Sequence, residues 1–372
     1  MIQRTGPIRL CIVCPKAYPV FNPDQRTIFG GAEVDIYFLA TQLAKDQTFD
    51  VTVIVADYGQ PEVQTFQSVR LVKGVDFSSC WLRSAWQLWR AFRRIDADIY
   101  LIKTISPGVP LLAVFCRLYK KAFIYRTSSG VDYDRSYFRV HRVMGWAFRR
   151  ALRSADLVIA QTQQAAHLLK GQIGPRIVQV IPNAHLLGPF QKGRKDYILW
   201  VGRSDSIKAP QLFVELAGRF PGEPFVMICQ KATGDTRYED LVAQARAVPN
   251  LTFIEHVPFD QVQGYFQRAK VLVNTSSSEG FPNTFIHAFA AGVPVLSLAV
   301  DPDGILTREG LGYCAGGSLE RMVEGLGWML HEGRYEQMGL HARRYAEKVH
   351  DISDVIQTYK RLFFAIQRAR YA

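Results

Sequence analysis

The chain has 372 residues, 48% of them hydrophobic and 21% charged, an ordinary globular composition that can bury two cores of roughly 180 residues each. Six cysteines do not make a disulfide scaffold. No stretch reaches the ~18 consecutive apolar residues of a membrane span, and Met1 to Pro7 lacks the apolar core of a secretory leader, so cytoplasmic residence is expected. The net charge of +12 is uneven: residues 1–190 carry 24 Lys+Arg against 13 Asp+Glu, so the first half is expected to face something anionic.

Apolar strands alternate with helical patterns along the chain, which predicts an α/β fold with parallel sheets. The first strand, Ile8 to Val13, leads into a polar loop ending Phe29-Gly30-Gly31-Ala32-Glu33. A helix follows, with Ala32, Ile36, Leu39, Ala40 and Leu43 on one face. Cys11 and Cys14 form a C-x-x-C without a second pair and read as strand residues. Later strands are predicted at 51–55, 98–102, 122–125, 157–160 and 178–181. The polar segment Gly188 to Asp196 reads as a linker, dividing domains 1–187 and 188–351. The rhythm restarts at Tyr197 to Gly202 and continues with strands at 225–228, 251–254, 271–274 and 293–297, before a final helical segment, Ile352 to Tyr371. Two such halves predict a cleft lined by loops at strand C-termini.

Between Trp81 and Ile95, Leu82, Ala85, Trp86, Trp89 and Phe92 share a helical face, with Arg83, Arg90 and Arg94 on a second stripe. Arg142, Arg149, Arg150 and Arg153 repeat this beside Trp146 and Phe148. One reading is a docked helix with a solvated basic face; the other is binding to an anionic membrane surface. No recognition motif accompanies the charge, so nucleic acid is not an expected partner.

The most informative stretch is Ser276 to Pro294. It follows the apolar run Val271-Leu272-Val273-Asn274, places Pro282 at the predicted first position of a helix, and continues with Phe285, Ile286, Phe289 and Ala290 at helical spacing. A strand end, a Ser/Gly turn and a helix N-terminus together suit a phosphate, although many such turns bind nothing. Gly202-Arg203-Ser204-Asp205-Ser206-Ile207-Lys208 follows the first strand of the second half; its two cations bracket a diphosphate or form a solvated basic loop. Asp301-Pro302-Asp303-Gly304 reads as a turn, and no metal site is expected.

The string Ser277-Ser278-Glu279-Gly280-Phe281-Pro282-Asn283-Thr284-Phe285-Ile286, with Gly292-Val293-Pro294-Val295, resembles the donor-site signature of retaining nucleotide-sugar glycosyltransferases of family 4. The resemblance implies the GT-B fold, two doubly wound Rossmann-like domains, with the last helix (352–372) crossing back to the first. It implies Glu279 on donor-sugar hydroxyls, Arg203 and Lys208 on the departing diphosphate, and donor contacts from Gly30, Gly31, Gly202, Val257, Gly280, Phe281, Pro282, Asn283 and Thr284. The signature pairs two glutamates with seven residues between them; His287 occupies the second position. Neutral His accepts one hydrogen bond where a carboxylate accepts two, and its helical phase predicts that it faces the same cleft as the turn. Arg126 and Asp132, near a strand end of the first half, are candidates for the acceptor side, a turn role being the other reading for Asp132. The implied partners are a UDP- or GDP-type sugar donor and a glycan or lipid-linked acceptor, without cofactor, and the implied place is the cytoplasm or the inner face of the membrane. Two other readings stay open: a catalytically silent homologue serving as an assembly subunit, and a nucleotide-sugar epimerase.

Overall fold

A computed structural model describes residues 6–22, 24–25, 29–134, 137, 140–175, 177–190 and 193–371. Residues 1–5, parts of the polar loop before Phe29, and positions 191–192 of the expected linker lie outside the described residues. The chain divides into two compact units, residues 1–184 with 352–372, and residues 185–351.

In the first unit, β1 (Ile8–Val13), β2 (Phe49–Ala56), β3 (Val63–Phe66), β4 (Val69–Val75), β5 (Ile99–Lys103), β6 (Ala122–Arg126), β7 (Leu157–Ala160) and β8 (Val178–Val180) form one sheet in the order β3-β4-β2-β1-β5-β6-β7-β8. Every pairing is parallel except β3 with β4. The central strands are buried almost throughout, which is why they read as continuous apolar runs instead of alternating ones. The β3–β4 hairpin escaped the sequence reading. Its turn residues Gln67 (φ 45°) and Ser68 (φ 67°) adopt left-handed conformations without the Asn-Gly or Asp-Gly signature that announces such turns.

The amphipathic helix is Trp81–Ile95, and its expected apolar face docks at the Trp89 and Phe92 end. Leu88, Ala91, Phe92 and Ile95 are buried, whereas Leu82 and Trp86 are exposed. The last helix, Ile352–Tyr371, packs within this unit. Phe363 and Phe364 meet Phe49, Lys360 pairs with Asp46, and the Tyr359 ring lies under the Arg126 guanidinium.

In the second unit, β9 (Tyr197–Arg203), β10 (Phe225–Gln230), β11 (Leu251–Ile254), β12 (Ala269–Asn274), β13 (Val295–Ser297) and β14 (Gly312–Cys314) form an all-parallel sheet ordered β11-β10-β9-β12-β13-β14. β14 was also missed; it has three residues and opens on a glycine. A Cβ on Gly312 would stand 1.9 Å from the Val295 carbonyl oxygen, so the close pairing with β13 requires glycine. The order reverses between β9 and β12. Loops that leave the C-terminal ends of those two strands therefore diverge to opposite faces and frame a crevice, the usual ligand position in an open α/β sheet.

Candidate functional site

The loop after β9 and the turn after β12 meet at this switch point. Gly202 lies where a Cβ would approach the Trp200 ring to 2.8 Å; the freed space lets Trp200 Nε1 donate to Thr275 Oγ1 at 2.9 Å. Thr275 Oγ1 in turn donates to the Lys208 carbonyl at 2.5 Å, and the Ser277 amide donates to the Ile207 carbonyl at 2.9 Å. Residues 207–208 and 275–277 are thus tied together, with Ala209 in a left-handed conformation (φ 42°) turning the chain into helix Gln211–Gly218.

This tie brings two charged side chains into contact across 71 positions of sequence. Lys208 Nζ lies 2.8 Å from Glu279 Oε2, and the two side chains are 23% and 14% exposed. The other carboxylate oxygen, Oε1, accepts from Asn274 Nδ2 at 2.9 Å and Ser276 Oγ at 2.7 Å. Burial pushes the Glu279 carboxyl up, but the Lys208 ammonium and these hydrogen bonds outweigh it and hold it below the usual range. Arg203, at the end of β9, is half-exposed and pairs with Asp205 at 3.2 Å. Asn274 and Ser276 are orienting residues that the sequence reading did not single out. The available signal was Asn274 itself, a polar residue closing the buried run Ala269–Asn274.

Pro282 is the N-cap, not the first helical residue, and helix Asn283–Ala290 follows it. Phe285, Ile286, Ala288 and Phe289 are buried, each contributing on the order of 1–3 kcal/mol to seating the helix. Asn283 and Thr284 stay partly exposed at its first turn, where amides lack intrahelical acceptors and the helix dipole favours an anion. Phe281 is buried against Phe285 and His350, so its side chain is a packing anchor. Val257, between β11 and helix Phe259–Arg268, is buried as well.

His287 packs among other rings. It is buried inside the second unit, with its ring stacked on Phe266 at 5.2 Å and edge-on to His185 at 4.4 Å. Asp301 accepts from the Leu306 amide and the 302–304 segment is a 3-10 turn, as its sequence suggests. Among the described residues, no group of three or more His, Cys, Asp or Glu could hold a metal.

In the first unit, Gly30 precedes helix Gly31–Leu43, and Glu33 caps it by accepting from the Gly30 amide at 2.8 Å. Arg126 and Asp132 do not line an open surface. The Arg126 guanidinium donates to Asp35, Asn183 and the carbonyls of Ile181 and Pro182. Asp132 accepts from the Ser128 and Ser129 amides and the Tyr125 hydroxyl. Both side chains are buried, so the expected acceptor contact is replaced by internal roles, for Asp132 the turn role. Cys11 and Cys14 are buried, and burial raises both thiols.

Two α/β units, one of them all-parallel with cations and a carboxylate at its switch point, define the GT-B class of fold, and comparison with solved structures agrees. A sucrose-phosphate synthase from Thermosynechococcus elongatus superposes with a TM-score of 0.80 at 16% identity, covering 97% of this chain and 100% of that one. Anabaena Alr3699/HepE, solved in complex with UDP, gives 0.73 at 13% identity over 96% of this chain and 100% of that one. Residues 29–185 match the family model Glycosyltransferase Family 4, and residues 195–332 match Glycosyl transferases group 1. The chain belongs to glycosyltransferase family 4. A D-inositol 3-phosphate glycosyltransferase of Geodermatophilus obscurus is 26% identical over 189 residues, 44% of this chain and 42% of that protein. The chain spans less than half the length of the curated relatives it matches.

Proposed function

We propose that the protein is a retaining glycosyltransferase, transferring a sugar from a UDP- or GDP-type donor to a glycan or lipid-linked acceptor in cell-surface polysaccharide or glycoconjugate synthesis. The observation that carries this reading is the contact of Lys208 with Glu279 where the loop after β9 meets the turn before helix Asn283–Ala290, with Arg203 at the start of the same loop. In it, residues 185–351 bind the donor and the first unit serves the acceptor. Arg203, Lys208 and the backbone from Gly280 to Thr284 take the diphosphate. Glu279, oriented by Asn274 and Ser276, accepts from donor-sugar hydroxyls, and the Val257 backbone borders the base. The acceptor hydroxyl attacks the anomeric carbon from the face the diphosphate leaves. The carbon–oxygen bond to the leaving group breaks as the new one forms, and the acceptor proton passes to the departing phosphate oxygen. Preorganised cations act there on charge that grows in the transition state.

The test is a thermal-shift panel of nucleotide sugars, followed by transfer from the stabilising donor to added glycan acceptors. A ligand that binds only the native state raises the transition in proportion to its occupancy. The reading expects stabilisation by one nucleotide class and transfer lost in Glu279→Gln. Transfer that persists in Glu279→Gln would refute the site, and free nucleotide released without any transferred sugar would point to another reaction. Full stabilisation with no transfer to any acceptor is the result expected of a silent assembly subunit.

The acceptor side is proposed to work at the cytoplasmic face of an anionic membrane. Helices Trp81–Ile95, Gly108–Leu118 and Arg142–Arg153 pack in series over one core of the first unit. They leave Trp81, Trp86, Leu118, Val143 and Trp146 exposed among Arg83, Arg90, Arg142 and Arg149, with the Arg90 guanidinium 5.5 Å over the Trp86 ring. Exposed Trp interleaved with Arg is the composition of an interfacial surface. Among the described residues no helix is long and apolar enough to cross a membrane. In co-sedimentation with vesicles containing anionic lipid, the triple variant Arg83→Gln, Arg90→Gln, Arg94→Gln is expected to bind at least 10-fold more weakly at low salt, since each surface cation is worth about 1 kcal/mol. Equal binding of variant and wild type counts against a membrane role.

A further inference from the structure

The buried imidazole pair at His185 and His287 forms a chain of hydrogen bonds whose direction can be worked out from its ends. His185 Nδ1 lies 2.9 Å from the Leu186 carbonyl oxygen. A carbonyl only accepts, so this nitrogen carries the His185 proton, and in the neutral ring Nε2 is left bare. That bare Nε2 lies 3.0 Å from His287 Nδ1, which must therefore carry the His287 proton. Gln263 Oε1, 2.9 Å from the same Nδ1, shares that N–H. The orientation of the Gln263 amide follows from its other end, where Nε2 donates to the His287 carbonyl at 3.3 Å. The chain closes with the proton of His287 on Nδ1 and a lone pair on its Nε2, to which no described residue bonds.

Burial holds both rings neutral: His185 is pushed down to about 4, and His287, buried beside His185, lies well below the ordinary imidazole value. Residue 287 lies four residues, about 6 Å along the helix axis, beyond Asn283 at the start of its helix. A nucleoside hanging from a diphosphate at that helix start carries ribose hydroxyls at this range, and a hydroxyl is a donor that a bare ring nitrogen can receive.

We propose that His185 is a positioning residue for donor binding, fixing the tautomer of His287 so that its Nε2 accepts one hydroxyl of the bound nucleotide. The proposal rests on the donor-site reading above. It gives the pair, 102 positions apart in sequence, one task that neither ring performs alone: His287 meets the ligand, and His185 determines that it does so as an acceptor.

Long-range nitrogen–proton NMR of the histidine rings in the free full-length protein reads the tautomers directly, and UDP and GDP are then titrated in. The expected spectrum has His185 and His287 both protonated at Nδ1, and the nucleotide that binds shifts the His287 Nε2 resonance toward the hydrogen-bonded range. His185→Phe, which keeps ring volume and removes the acceptor, is expected to weaken binding of that nucleotide about 5- to 10-fold, the worth of one hydrogen bond. It should add nothing in a His287→Ala background. A His287 proton on Nε2, an Nε2 resonance unmoved by bound nucleotide, or equal weakening by His185→Phe in both backgrounds would each overturn the proposal. If neither nucleotide binds the wild type, the donor-site reading fails and the ligand half of this proposal falls with it, while the tautomers still judge the relay.

Discussion

Replacing Lys208 by Met is expected to lower kcat by about 10²- to 10³-fold, the usual cost of removing one preorganised group from a site of developing negative charge. The structure also makes Lys208 the counter-ion of Glu279, so the single variant strands a largely buried carboxylate on Asn274 and Ser276 alone. Some stability is therefore lost together with activity, and the two effects separate in a double variant. Lys208→Met with Glu279→Gln removes both charges, and its urea midpoint should return toward wild type while transfer stays absent. An active double variant would show that the pair is structural. The pH dependence follows from the same contact. The folded Glu279 carboxyl lies below its unfolded value, so its contribution to stability is complete above the ordinary glutamate range near pH 4.3. It is lost as pH falls through the depressed folded value. At neutral pH the carboxylate is charged and able only to accept.

The second large effect is expected far from this crevice. Asp35, in helix Gly31–Leu43, is buried and meets Lys103 Nζ at 2.5 Å and Arg126 Nε at 2.8 Å, with both cations buried too. Asp35→Ala leaves two positive charges in the interior with no carboxylate and is expected to destabilise the first unit by roughly 3–5 kcal/mol. Chemical denaturation followed by far-UV circular dichroism measures this as a shifted midpoint for that unit. Asp35→Asn, which can still accept one hydrogen bond, should fall between Ala and wild type; an unchanged midpoint in Asp35→Ala would refute the account. Burial pushes the Asp35 carboxyl up, but Arg126 and Lys103 prevail and bring it down to about 2. Its stabilisation is thus full above about pH 4 and is lost between there and pH 2. Arg126 gives the same cluster a second function: its remaining nitrogens hold the carbonyls of Ile181 and Pro182 and the Asn183 side chain, and its face covers Tyr359 of the last helix.

Residues with a local cause were legible in the sequence. Ile8–Val13, Leu157–Ala160 and Leu251–Ile254 could be bounded to the residue, because each is a short, mainly apolar run between polar segments, and Leu157–Ala160, buried throughout, is apolar along its whole length. The turn before helix Asn283–Ala290 and the loop Gly202–Lys208 were visible for a similar reason. Proline, glycine and serine are required by tight strand-to-helix turns, and those requirements act within a few residues. The β3–β4 hairpin and β14 were hidden because the first turns on residues with no strong preference and the second is three residues long with little pattern to read.

The misreadings share a different cause. The helix Trp81–Ile95 has an apolar face, and periodicity could not say which end of it docks. Contact with β4 and the neighbouring helix selected Leu88, Ala91, Phe92 and Ile95 and left Leu82 and Trp86 to solvent. An arginine at the end of β6 looks like a surface cation until a carboxylate 91 positions away takes it into the core.

By itself, then, the sequence determined the α/β class, the alternation of strand and helix, and the residue types available at each turn, since these depend on backbone preference and on hydrophobic period. Only the tertiary structure decided which turns meet. Lys208 reaches Glu279 because β9 and β12 are neighbours at the point where the strand order reverses. His287 lies buried beside His185 because a segment more than a hundred residues upstream supplies the acceptor for its ring. Hydrogen bonds and ion pairs act over about 3 Å of space whatever the separation along the chain, and a sequence read locally does not contain that distance.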